Sequence, residues 1–276
     1  MVGSINNTTG VLAALKALQG ASSDLSQAET RVSSGYKVRV AADNAPAFQT
    51  SAILNGEVNS LQAVTLSLNH AQSVSDVSIA AAQQVSDLLI SMKGTASAAM
   101  AGDLSDDQRQ AYNLQFQQQR AQLTQFIQNA SFDDANVLNG SKPNGITFIV
   151  DAAATQTVTL KGRDFLPGGS VVTLSTTSDL SSPDAAQHAY DAITQSITNV
   201  GAQLIDMSSE NKRIEAQAGF VAKLSDALTS GVSTLVDTDV AGDSALIQAL
   251  QVKQSLAGQA VSIANNAPQA LLALFR

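Results

Sequence analysis

The sequence predicts a mainly α fold: a long antiparallel helical coiled coil or bundle rod carrying a small antiparallel β insertion. Three observations support this. Apolar residues recur in alternating steps of four and three at both ends of the chain and through most of its middle. Only 4% of residues are aromatic and there is no Trp, which suits long helices packed through small and aliphatic contacts. Between about 141 and 182 the period is lost and β-branched runs appear, punctuated by Gly, Pro and Asn.

The first helix is expected over about 4–33. Val11, Leu15, Leu18, Ser22, Leu25, Glu29 and Val32 follow the four-three step and mark a seam. SSGYKVRVAADNAPAF then breaks the pattern. Gly35 suits a C-cap, Val38 and Val40 favour extension, and Asp43, Asn44 and Pro46 read as a turn opening the next helix. That helix runs from Pro46 to about Ala99, weakened locally at Gly56 and Gly94. A capping box at Ser105 and Gln108, with Asp106 and Asp107 in the first turn, opens a third helix that returns along the second and stops near Ala130.

ITFIV, TQTVTL and SVVTLST read as two or three short strands. So few strands need helices beneath them. Ser182 and Pro183 then suit N-cap and N1 of the longest helix, with a seam from Ala186 through Ile193, Val200, Met207, Ile214 and Val221 to Leu235, interrupted at Asn211 and Ser225. The last seam runs Leu246, Leu250, Lys253, Ala257, Ala260, Ala264, Ala267, Leu271 and Leu274, with Phe275 adding apolar surface at its end. Pro268 lies inside it and calls for a bend or a restart. The first and last helices, sharing one period, are expected to pair. Arg31 is expected to meet Asp237 or Asp239 near the connector, where a basic N-terminal segment faces an acidic one.

Composition excludes several classes. A chain of 276 residues with 44% hydrophobic content can bury a core. It has no cysteine, hence no disulfide, thiolate nucleophile or cysteine metal site. A formal net charge of −8 argues against nucleic acid as a partner. No apolar run approaches the roughly 20 residues of a membrane span, and the start has no signal-peptide pattern. His70 and His188 have no second ligand at metal spacing, and DAAATQT lacks a calcium-loop pattern, so neither catalytic, cofactor nor metal residues are assigned. Asn6, Asn7, Asn129 and Asn139 open Asn-X-Ser/Thr triplets, a short pattern with many chance matches; the Ser/Thr-rich stretch 170–182 is the better place for sugar.

SINN, RVSSGYKV, AADNAP, FDDANVLNG and LLALFR resemble motifs of bacterial flagellin in the expected order, across about 1–140 and 183–276. The resemblance implies an inner coiled-coil domain from 1–40 with 236–276, and a helical rod domain over 41–235 that includes the β region. It implies a secreted filament subunit for motility that self-assembles into a helical polymer outside the cell, exported without a cleavable signal peptide. Partners implied are an export chaperone, the flagellar type III export apparatus, the filament cap, hook-junction proteins and other flagellins. Asn44, Ala45, Pro46 and Ala47 depart from the usual connector and make it stiffer. Gln84 and Ser86 stand where some flagellins carry arginines read by an animal immune receptor, so weak recognition is expected.

The residues expected to carry inner-domain assembly are Val11, Leu15, Leu18, Leu25, Leu250, Ala257, Ala264, Leu271 and Phe275. Ala-rich seams bury little area per residue, while ordering costs about 1 to 2 kcal/mol per residue. The terminal arms are therefore expected to order only when neighbouring subunits cover them. Two alternatives stand beside the filament subunit: a hook-filament junction protein of the same superfamily, and a surface-displayed homologue that binds polysaccharide. The scarcity of aromatic residues counts against the second.

Overall fold

The structure is a computed structural model that describes residues 9–274, with side chains through 266. Its elements are α1 (Thr9–Ser34), α2 (Ala45–Ala99), α3 (Asp106–Asn129), β1 (Ile146–Ile149), β2 (Thr157–Leu160), α4 (Pro183–Val236) and α5 (Val240–Leu274). The fold is mainly α with a two-stranded antiparallel sheet. At 55 residues α2 is one longer than α4, which was expected to be the longest helix. α5 continues through Pro268 and does not restart there.

The chain forms two compact units, Met1–Gly56 with Leu228–Arg276, and Glu57–Ala227. The division falls inside α2 and α4. Connector residues 35–44 are tied to the end of α4: Lys37 and Val38 donate backbone bonds to Val236 O, and Val38 packs with Val232 and Val236. Those contacts hold the ends of both long helices within the first unit.

In the second unit most buried positions of α2 keep a seven-residue repeat, with Val74 and Thr95 buried beside it. Leu61, Val64, Leu68, Ala71, Ser75, Ser78, Ala82, Val85, Leu89, Met92, Ala96 and Ala99 all lie inside. α3 opens with its capping box formed, Gln108 N donating to Ser105 Oγ at 3.3 Å and Ser105 N to Gln108 Oε1 at 3.0 Å. Arg109 closes the turn by donating to the carbonyls of Ala99 and Ala101. Gln119 then bonds to Ser91 and Thr95, so α3 does return along α2. Asn136 fastens the end of α3, its Nδ2 donating to Ile127 O at 2.7 Å.

β1 and β2 pair from Ile146 with Leu160 to Ile149 with Thr157, burying Phe148 and Leu160. Gly162 permits the close crossing beneath them: a Cβ there would lie 1.6 Å from Lys142 O. SVVTLST is not a third strand. Its Val171, Val172 and Leu174 are buried; Val171 N and Val172 O bond to the backbone of Asp164 and Gly168, and polar side chains of α4 take up Val171 O and Thr173 N. Ser182 caps α4 as expected, accepting from Ala185 N at 3.1 Å.

Candidate assembly interface

The terminal helices pair within the first unit, α1 packing along α5. The residues of α1 that turn inward are Val11, Ala14, Leu18, Ala21, Leu25, Ala28 and Val32, with Ala21 and Ala28 almost fully covered. Those of α5 are Asp243, Ile247, Leu250, Gln254, Ala257, Val261 and Ala264. Large and small residues thus alternate on α1, and the alanines let the backbones approach. Leu25, Ala28, Leu250 and Ile247 form the tightest cluster. Burial declines from there toward the chain ends.

Of the residues expected to drive assembly, the structure brings Leu25 and Leu250 together, and half-buries Val11, Leu18, Ala257 and Ala264. Leu15 does not join the seam: it is 47% exposed, and Ala14 occupies the inward place. The same correction applies on α5, where Ile247, Gln254 and Val261 point inward and Leu246, Lys253 and Ala260 point out. On α1 the close helix crossing admits the smaller Ala14 in place of Leu15; on α5 the seam lies one residue further along than the expected phase at these three places. The side chains of Leu271 and Phe275 lie outside the described residues.

Arg31 pairs with Asp243. It meets neither Asp237 nor Asp239, which were its expected partners. Nε and Nη2 reach the two carboxylate oxygens at 3.0 and 2.9 Å, and Thr238 Oγ1 donates to the same carboxylate. The hydrogen bond from Arg31, then that from Thr238, holds the Asp243 carboxyl below the usual range, and the same bond raises Arg31. Asp239 is committed elsewhere, capping α5 by accepting from Ala241 N and Gly242 N at 3.1 Å. Asp237 sits in an isolated bridge to Tyr36. Gly35 ends α1 at φ +77°, its N donating to Arg31 O, as a C-cap glycine should. Asp43 steadies the connector, accepting from Arg39 N and Val40 N, and both bonds lower its pKa.

The outward faces of the pair carry large apolar residues among polar ones. On α1 Leu12 is 61% exposed beside Leu15; on α5 Leu246, Val252, Leu256 and Ile263 are uncovered.

One set of structural residues has no counterpart in the apolar seams. Ser196, Gln203, Glu210 and Gln217 stand at strict seven-residue intervals along α4 and receive the middle segment. Ser196 Oγ accepts from Thr173 N, Gln217 donates to Val150 O, and neighbouring Asn199 donates to Val171 O. Arg163, buried, bonds to Gln203 at 2.8 Å and to Glu210 at 3.1 Å. The signal was the polar repeat itself. His70 packs its ring against Phe132 and Phe148, with Nε2 3.5 Å from Asp133; His188 is exposed. Among the described residues no helix is long and apolar enough to cross a membrane.

The family model for the bacterial flagellin N-terminal helical region matches residues 5–143, and that for the bacterial flagellin C-terminal helical region matches 190–275. The chain belongs to the bacterial flagellin family. It is 35% identical to flagellin FljJ of Caulobacter vibrioides over 99% of this chain and 98% of that one. A flagellin of Brucella melitensis is 25% identical over 99% of both. A solved structure from Vibrio parahaemolyticus, described as a flagellar hook-associated protein, has a TM-score of 0.57 at 13% identity and covers 71% of this chain and 100% of that one, a likeness of fold. This flagellin is thus a structural subunit of the flagellar filament, located outside the cell, and no enzyme. The described residues of both matched regions are mainly helical, and the two regions bracket the β hairpin.

Proposed function

We propose that the subunit assembles through α1 and α5, which form an inner domain over 1–40 and 236–276, while 41–235 form a rod domain. In this reading the inward residues Val11, Leu18, Leu25, Leu250, Ala257 and Ala264 hold the two helices to each other. Leu12, Leu15, Leu246, Val252, Leu256 and Ile263 meet neighbouring subunits. The observation that carries it is the uncovered apolar stripe on a pair whose own seam is rich in alanine. Burying one such Leu or Ile side chain is worth about 1.5 to 3 kcal/mol. Neighbours therefore supply what the isolated pair lacks, and the arms order as the polymer grows. A heterologous contact that does not close generates a helix.

Before assembly the same surface needs cover, which suits an export chaperone and passage through the flagellar type III apparatus. The cap and hook-junction proteins, and other flagellins, would engage it at filament ends and along mixed filaments. The test compares full-length chain with chain truncated after Val240, each seeded with filament fragments and viewed by electron microscopy. Long filaments from the full chain and none from the truncated one are expected. Filaments from both would overturn the role of α5. Stubs from the full chain would favour a junction protein, the reading to which the hook-associated fold likeness points.

A further inference from the structure

We infer that two polar contacts, Arg31 with Asp243 and Ser22 with Gln254, set the register of α1 against α5. The inference deepens the assembly reading and rests on it, because its readout is taken in filaments.

The apolar seam alone does not specify a register. Val11, Leu18, Leu25 and Val32 on α1 alternate with alanines, and α5 offers Leu250, Ala257 and Ala264 alternating with Ile247, Gln254 and Val261. Sliding one helix by seven residues again places apolar side chains opposite one another, with Leu25 moved from Leu250 to Ala257. Alanine is small enough to accept any of these partners. Coiled coils of this kind take their register from sparse polar positions.

The two contacts meet that need. Arg31 makes a two-pronged bond to Asp243 with side chains only 25% and 14% exposed. Gln254 Nε2 donates to Ser22 Oγ at 2.8 Å across the seam. A slip by one heptad toward the C-terminus sets Arg31 opposite Leu250 and Ser22 opposite Val261. Gln254 then gains Glu29, but Arg31 gains nothing, since residues 244–276 contain no Asp or Glu. In the opposite slip Ser22 faces Ile247, and Arg31 passes beyond the start of α5, where Asp239 is engaged in the α5 cap and the backbone of Asp237 is held in the bridge to Tyr36. Arg31 is therefore the stronger of the two positioning residues.

The natural chain has no cysteine, so paired cysteines report register directly. Leu25→Cys with Leu250→Cys reads the native register, and Leu25→Cys with Ala257→Cys reads the slipped one. Each pair is placed in three backgrounds: native Arg31, Arg31→Asp, and Arg31→Asp with Asp243→Arg. Each variant is co-assembled from seeds with an excess of cysteine-free chain, which suppresses links between subunits, and is mildly oxidised. Links within one chain run at monomer mass on a denaturing gel.

With native Arg31 the native pair closes and the slipped pair does not. Arg31→Asp lowers the native-to-slipped ratio about tenfold, and the exchanged charges restore it. An unchanged ratio in Arg31→Asp overturns the proposal, as does failure of the exchange to restore it, or equal closure of both pairs with native Arg31. Failure of the cysteine-free chain itself to elongate overturns the assembly reading instead.

Discussion

Glu210 accepts from Arg163 and lies 3.6 Å from Lys161 Nζ, yet its Oε2 has no hydrogen-bond partner. Truncating one member of a buried pair strands the other charge. Glu210→Ala is thus expected to destabilise the chain by about 3 kcal/mol, read as a lowered urea midpoint, and Arg163→Met with Glu210→Met to recover most of the loss. Asp243 acts through pH. Its folded pKa lies below the ordinary carboxylate value of about 4, so its contribution is full above that value and disappears as pH falls through the lower folded one. Hydrogen-exchange protection of α1 in filaments should fall across that acid window, and Asp243→Asn should show the loss already at pH 7. The sequence made Arg31 legible as an ion-pair residue but not its partner. Asp239 is taken by the helix cap, and that is decided by local backbone bonds.

At the scale of elements, helix ends were the most legible features, because Ser105, Ser182 and Gly35 act through their immediate neighbours. Seam faces were harder to read. Ala21 and Ala28 are buried while Leu15 is exposed, since the separation of two helices is a property of the pair and not of either sequence. Ala21→Leu should therefore overpack the crossing by about 1 to 3 kcal/mol and raise the critical concentration for filament growth. Leu15→Ala leaves the seam intact; if neighbours cover Leu15, it raises the critical concentration while leaving the native Leu25–Leu250 cysteine pair able to close. A critical concentration unchanged by Ala21→Leu would show that the helices do not approach closely there. The SVVTLST run shows the complementary limit: β-branched residues state a preference for extension, and only the helix beneath decides whether a strand or a side chain completes their bonds.

For the whole molecule, the mainly α class, the hairpin insertion and the pairing of the two chain ends were all legible from period and composition. The packing of Val38 with Val232 and Val236 was not, being a contact between residues far apart in sequence. Nor was the polar column on α4, since a scan for apolar stripes passes over Ser196, Gln203, Glu210 and Gln217. That column has an evolutionary consequence. At Val150 and Thr173 it holds the middle segment by main-chain carbonyl and amide groups, as the neighbouring Asn199 does at Val171. A carbonyl is common to every amino acid, and an amide hydrogen to all but proline. Outward-facing side chains of that segment are therefore released from the duty of fastening it, and lineages can rewrite the face it shows to antibodies, phage or surfaces while the fastening stays unaltered.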